Sequence, residues 1–195
     1  MPSYLGVYKG AASSRDAKIV RAVNSILGQV YETWELIVIA DGCDLTARIM
    51  QDNFDDPRIS GYKIQKQPLW SGTPRNYGLS KAKGEYACYL DIDDVFGKEH
   101  LAEIVPHMEG HDWAYFNDWQ YKNGGFLPRP CNINTMGHCG TSNLIHKPDF
   151  AKWNHNDGYA HDWNFIRNLK KRSGKFDRIT GGRYYVCHIP GKYDL

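Results

Sequence analysis

Residues 34–40 read Trp-Glu-Leu-Ile-Val-Ile-Ala, an apolar run broken only by Glu35 and stopped by Asp41-Gly42. A strand with one wet face alternates polar and apolar residues; a continuous run belongs to a strand buried on both faces, the situation inside a parallel sheet covered by helices. Parallel neighbours need crossover helices, and the flanking sequence supplies them. Residues 4–9 are β-prone, 10–14 form a small-residue turn, and Ile19, Val20, Val23, Ile26 and Leu27 recur at helical spacing. After the run, the pattern predicts a helix over 45–54, a strand over 59–64, a proline-started helix over 74–82 and a second buried strand over 86–90. Repeated βα units imply an α/β fold with a Rossmann-like, mostly parallel central sheet flanked by helices. The second half is less regular. Strands are expected over 113–121, 141–146 and 183–188 and an amphipathic helix over 162–171, while the Gly-, Pro- and Asn-rich segment 123–134 reads as a loop or hairpin.

The 195 residues suit one domain. With 42% hydrophobic and 24% charged residues the chain can bury a core, which excludes disorder. A net charge of +2 gives no reason to expect nucleic acid or a membrane surface as partner. No apolar run reaches the ~20 residues of a transmembrane segment, and the first six residues lack a basic region with an apolar signal core, so the expected location is cytoplasmic. Five scattered cysteines predict free thiols rather than a disulfide framework. His138-Cys139 and Cys187-His188 bring soft ligands side by side, but without paired C-x-x-C clusters structural zinc is not favoured.

In open parallel sheets, ligands bind beyond the carboxyl ends of the strands. Those positions are polar here: Ser13, Ser14 and Arg15, then Asp41, then Asp91, Asp93 and Asp94. Leu90-Asp91-Ile92-Asp93-Asp94 places three mutually repelling carboxylates directly after an apolar strand, and a divalent cation with substrate phosphates would compensate them. The competing reading, helix or turn capping, needs only one Asp.

Several stretches resemble a family 2 glycosyltransferase of the GT-A fold, a group of inverting, nucleotide-sugar-dependent enzymes. Ser25-Ile26-Leu27-Gly28-Gln29 with Tyr31, Trp34 to Ile37 and Asp41-Gly42 is similar to the family's opening block. Pro74-Arg75-Asn76-Tyr77-Gly78-Leu79, Ala82-Lys83-Gly84-Glu85-Tyr86 and Tyr89 to Asp94 resemble its central block, ending in the DxD motif. The resemblance implies a single domain whose residues 1–97 form a nucleotide-sugar-binding half and 98–195 an acceptor-binding half, the latter with a smaller sheet and loop region. It implies a nucleoside diphosphate sugar as donor, a UDP-sugar first among them, a glycan or other hydroxyl compound as acceptor, and Mn²⁺ or Mg²⁺ as cofactor. Donor contacts would come from Ala11, Ser13, Arg15, Asp41, Arg75, Asn76, Asp91 and Ile92, and metal contacts from Asp93, Asp94 and His188. Ala11-Ala12-Ser13-Ser14 departs from the family's Pro-Thr-Tyr-Asn, and Asp41-Gly42-Cys43 from its Asp-Gly-Ser.

His161-Asp162-Trp163 is similar to the family's Glu-Asp motif, which makes Asp162 the candidate general base, its carboxyl expected to be raised by apolar surroundings. A helix-cap role is the alternative for Asp162. His138, Thr141, His161 and Trp163 are candidates for the acceptor side, with a plain surface histidine as the alternative for His138. The alternating aromatics Trp113, Tyr115, Phe116, Trp119 and Tyr121 fit a sheet core better than a sugar platform, for which Trp70 and Trp153 remain candidates. Two other classes compete. A sugar nucleotidylyltransferase would need a richer glycine and basic loop than residues 10–15 offer, and a binding module would keep the pocket without turnover.

Overall fold

A computed structural model describes residues 1–9, 11–68, 71–155 and 158–187. The first half builds a parallel sheet in the order β1 (Pro2–Ser3), β2 (Leu36–Asp41), β3 (Ile59–Ile64), connected by helices α1 (Arg15–Leu27) and α2 (Asp44–Asn53). The apolar run is the central strand, and Val38, Ile39 and Ala40 are nearly inaccessible. Helix α1 turns Ile19, Ala22, Val23 and Ile26 onto this sheet, the face that its apolar spacing specifies.

The first strand is shorter and earlier than the β-prone run 4–9. The reason is Arg15, whose guanidinium takes the carbonyls of Tyr4, Leu5 and Gly6 and so removes them from any ladder. Helix α3 (Gly72–Lys81) and the two-residue β4 (Ala87–Cys88) follow. A buried strand over 86–90 was expected in a mostly parallel sheet, yet β4 keeps two of those residues and pairs antiparallel with β9 (Leu144–His146).

The second half forms two mixed four-stranded sheets rather than extending a parallel one. One has the order β10 (Phe176–Ile179), β6 (Trp113–Phe116), β9, β4; the other β5 (Val95–Phe96), β11 (Tyr184–Val186), β7 (Asp118–Lys122), β8 (Gly125–Arg129). The predicted strand 113–121 splits at Asn117, whose side chain accepts the Cys131 N–H, so its two halves join different sheets. The predicted strand 141–146 is a 3₁₀ turn, Thr141–Asn143, followed by β9, because Asn143 Oδ1 takes the Gly140 N–H. β7 and β8 close as a hairpin over Asn123-Gly124, both at positive φ, the backbone that Asn-Gly favours in a two-residue turn. Helix α4 (His100–Ile104) lies between the halves of the chain, and α5 (His161–Lys171) packs Phe165, Ile166 and Leu169 against Trp113 and Leu144 in a second core. The alternating aromatics are largely sheet core, as expected: Trp113 and Phe116 are buried and Trp113 stacks on Phe176.

The cysteines depart from expectation. Cys131 and Cys139 form a disulfide, while Cys43, Cys88 and Cys187 are free. Turn hydrogen bonds between Asn132, Thr135 and His138 fold the intervening loop back on itself and bring the two sulfurs together.

Candidate active site

Beyond the carboxyl ends of β2 and β4 opens a cleft of about 870 Å³, walled by both halves of the chain. Ten of the candidate residues line it: Asp41, Arg75, Asp91, Ile92, Asp93, Asp94, Thr141, His161, Asp162 and Trp163.

At one end, Asp41 finishes β2. Its carboxylate accepts hydrogen bonds from Lys66 Nζ at 2.8 Å and the Gln67 N–H at 2.7 Å. Gly42, at φ +64°, makes this turn possible, since a Cβ there would sit 2.4 Å from the Lys66 Cβ. Tyr4 and Tyr8 also line this end, their rings stacked 6.5 Å apart, with Lys66 Nζ 4.5 Å from the Tyr4 ring.

In the middle, Arg75 rises from α3 with its side chain only 5% exposed. Its guanidinium packs 4.5 Å from the Trp153 ring, and Nη2 lies 3.6 Å from Asp91 Oδ1. Nε and Nη1 have no hydrogen-bond partner among the described residues. A buried guanidinium with unused donors at a cleft is built to meet an anion.

The carboxylates of the Asp91–Asp94 turn differ in environment. Asp91 is 43% exposed. Asp93 is half-buried, and its carbonyl accepts from Arg21 Nη2. Asp94 is buried, with one oxygen bonded to the Cys187 N–H and the other to the Tyr184 hydroxyl, both at 2.8 Å. Burial, and then the negative charges of Asp91 and Asp93, push its carboxyl well above the usual value. Both Asp94 oxygens thus tie the turn to β11 and the residue after it, a structural role beside the metal-ligand role expected for it. Among the described residues no group of three His, Cys, Asp or Glu side chains converges, so a cation here would draw ligands from the substrate phosphates as well. His188 lies outside the described residues, as does Trp70.

At the other end, α5 begins with His161 and Asp162. Ala160 occupies the cap position, and the Asp162 carboxylate instead accepts the Thr141 hydroxyl and faces His161 Nε2 at 3.0 Å, so capping is not its task. His161 Nδ1 meets the Gly158 carbonyl at 3.1 Å. Burial alone would raise the Asp162 carboxyl. The His161 hydrogen bond, the Arg75 and His161 charges and the Thr141 hydroxyl outweigh it, and the carboxyl is held below its ordinary value, opposite to the expected direction.

Other candidates stand away from the cleft. Ala11 and Ser13 do not line it, and Arg15 is buried with its guanidinium on loop carbonyls and 4.7 Å from the Tyr8 ring, a loop anchor rather than a donor contact. Asn76 is spent on a reciprocal pair of 2.8 Å bonds with the Trp153 backbone. Trp153 is itself buried, stacked on Phe165 at 3.9 Å, and offers no sugar platform. His138 is an exposed loop histidine.

The cleft also holds residues that sequence reading missed. Lys66 follows the carboxyl end of β3, where the strand-end rule applies equally. Arg129, at the end of β8, carried no signal because its place depends on Asp118, a fully buried carboxylate that takes its Nε and Nη2 together with the Ser142 hydroxyl.

A model of the family described as "Glycosyl transferase family 2" matches residues 14–187. The chain belongs to that family. It is therefore a glycosyltransferase by family, and its sequence is similar to two bacterial glycan-building enzymes. A putative colanic acid biosynthesis glycosyl transferase, WcaA of Escherichia coli, is 30% identical over 112 residues, 54% of this chain and 39% of that protein. The poly(ribitol-phosphate) beta-N-acetylglucosaminyltransferase TarS of Staphylococcus aureus is 27% identical over 96 residues, 48% of this chain and 17% of that protein. Crystal structures of residues 1–349 of S. aureus TarS share the fold. The complex with UDP-GlcNAc superposes with a TM-score of 0.76 at 18% identity, over 99% of this chain and 58% of that one, and the complex with UDP gives 0.74. The architecture is thus GT-A-like, and the chain spans well under half the length of these curated relatives. No helix among the described residues is long and apolar enough to cross a membrane.

Proposed function

We propose that the protein transfers a sugar from a UDP-sugar to an acceptor hydroxyl with inversion, residues 1–97 forming the donor wall and 98–195 the acceptor wall. The observation that carries this reading is the meeting, in one cleft, of a buried anion-seeking Arg75, the Asp91–Asp93 turn and Asp162. The UDP and UDP-GlcNAc complexes of the TarS fold support the choice of nucleotide.

Arg75 would hold the diphosphate and offset the charge that grows on it as the sugar departs. Asp91 and Asp93 are hard oxygen donors beside that position, a set that fits Mn²⁺ or Mg²⁺ shared with substrate phosphates. When bound, such an ion supplies Lewis-acid stabilisation of the leaving group. Asp162 accepts the proton of the attacking hydroxyl, and Thr141 and His161 fix the carboxylate orientation. Its lowered carboxyl keeps it ionised throughout the neutral range, ready as an acceptor although weaker as a base.

The test is release of nucleoside diphosphate from UDP-, GDP- and dTDP-sugars with candidate acceptors, with Mn²⁺ and then chelator. Metal-dependent release from a UDP-sugar is expected, lost in Asp93→Ala and lowered about 10²- to 10⁴-fold in Asp162→Asn with UDP binding retained. Turnover undiminished in Asp162→Asn refutes the base assignment; nucleotide binding without turnover turns the reading toward a binding module.

A further inference from the structure

The net charge of +2 hides a strong local asymmetry. Residues 167–178 hold Arg167, Lys170, Lys171, Arg172, Lys175 and Arg178 against a single acid, so the remainder of the chain is net acidic. All six basic residues are exposed. None makes an ion pair among the described residues, whereas Arg58, Lys63, Lys66, Arg129, Lys147 and Arg183 each hold a carboxylate. Two cations in the last turn of a helix suit its dipole, but six exceed that need.

Their arrangement has a direction. Trp163, Arg167, Lys170 and Lys171 stand at i, i+4, i+7 and i+8 of α5, one face of a helix whose opposite face buries Phe165, Ile166 and Leu169. Trp163 lines the cleft next to Asp162, so the stripe starts at the acceptor end of the site and runs about 12 Å along the helix. Lys170 Nζ bonds Asn134 Oδ1 at 2.6 Å, joining the stripe to the disulfide loop whose Met136 and Gly137 also wall the cleft. Beyond the helix, the register of β10 with β6 sets Arg178 opposite Tyr115 and Phe176 opposite Trp113, on the sheet face against which α5 packs.

We propose that this face is a track for an extended polyanionic acceptor, a chain with repeating phosphate or carboxylate groups whose accepting hydroxyl reaches Asp162 while the chain behind it lies along α5. This rests on the proposed transferase reading for the place of the hydroxyl, but the track itself is tested without turnover. The deciding feature is continuity with the cleft: a flat anionic surface would not need the stripe to begin at Trp163, whereas a linear chain threading into the site does.

The experiment uses the whole chain and long-chain inorganic polyphosphate as probe, at low salt and with rising NaCl. Wild type is expected to bind with strongly salt-dependent affinity, and Arg167→Glu/Lys171→Glu to weaken binding about tenfold or more. Arg48→Glu/Lys98→Glu, an equal change of net charge on exposed residues elsewhere, is expected to weaken it far less; circular dichroism and melting temperature check the fold of both variants. Equal weakening by both pairs reduces the effect to net charge and overturns the proposal. So does binding to vesicles of anionic phospholipid that polyphosphate fails to displace, which assigns the face to a membrane. UDP binding, measured in parallel, reports on the transferase reading separately: its absence in wild type refutes that reading while leaving the polyanion result to stand or fall alone.

Discussion

Arg75 shows how a single residue can be placed for binding at the expense of stability. Its guanidinium is buried against Trp153, and its Nε and Nη1 find no acceptor among the described residues. A buried donor left unmet costs about 1–3 kcal/mol, so the cleft is strained toward an anion before one arrives. Its ion-pair partner among the described residues, Asp91, is substantially exposed and can rehydrate when left alone. Arg75→Met is therefore expected to keep or raise the melting temperature while lowering UDP affinity tenfold or more, by the same logic that lets apolar groups replace buried charges. The Asp162 carboxyl also loses a charge that holds it down, so the acid limb of the transfer rate shifts to higher pH. Titration with UDP and a pH–rate profile check both; unchanged UDP affinity removes Arg75 from the donor site.

At the scale of elements, the parts of the chain that follow local rules were legible in sequence. Strand β3 was predicted over its observed span, and β2, α2 and α5 to within two residues at each end, because their apolar spacing is set by burial against a sheet. The second half was harder, since its strands switch partners: Asn117 breaks one apolar run into two sheets, and Asn143 converts the start of another into a turn. Site reading had the same limit. Residue type marked Asp41, Asp91 and Asp162, but it did not reveal that Asn76, Asp94 and Arg15 spend their polar atoms on protein groups. The Cys131–Cys139 link was invisible for a related reason, because eight residues of separation say nothing until the intervening turn is folded. Closing so short a loop contributes about 2–3 kcal/mol in the chain-entropy view. Thiol titration of the denatured protein is expected to find three groups without reductant and five with it. Reduction should lower unfolding stability by roughly that 2–3 kcal/mol, and it should raise the acceptor KM more than it changes UDP affinity, since the loop walls the acceptor end. Five thiols without reductant would contradict the link.

At the scale of the whole molecule, three buried bases stay neutral in the folded state. His100 sits between Phe96, Phe116 and Tyr184 with Nδ1 accepting the Arg183 N–H, and burial pushes it down to about 3. His146, between the Tyr89 hydroxyl and the Lys147 carbonyl, is pushed down to about 4 by burial, and the Met1 amine, bonded to the Ile37 carbonyl, to about 5. Each of these groups binds a proton in the unfolded chain before it does in the native one, so their stabilisation is complete above the unfolded values and is lost as pH falls. Asp94 acts with the opposite sign, because its raised carboxyl holds a proton in the native state that the unfolded chain has released. Between pH 6.5 and 5 the unfolded chain takes up protons on these bases that the native chain refuses, and each base charged only in the unfolded chain lowers stability by up to about 1.4 kcal/mol per pH unit of acidification, with Asp94 opposing. Above pH 6.5 the two histidines become neutral in both states, and the slope is expected to flatten. Denaturant unfolding across this range measures the slope. Replacing His100 by Leu removes one of the three bases and should lower the slope by up to about 1.4 kcal/mol per unit, even though the lost Arg183 bond lowers stability at every pH. An unchanged slope in that variant would mean that His100 is already charged in the folded protein, and that Phe96, Phe116 and Tyr184 do not seal it from water.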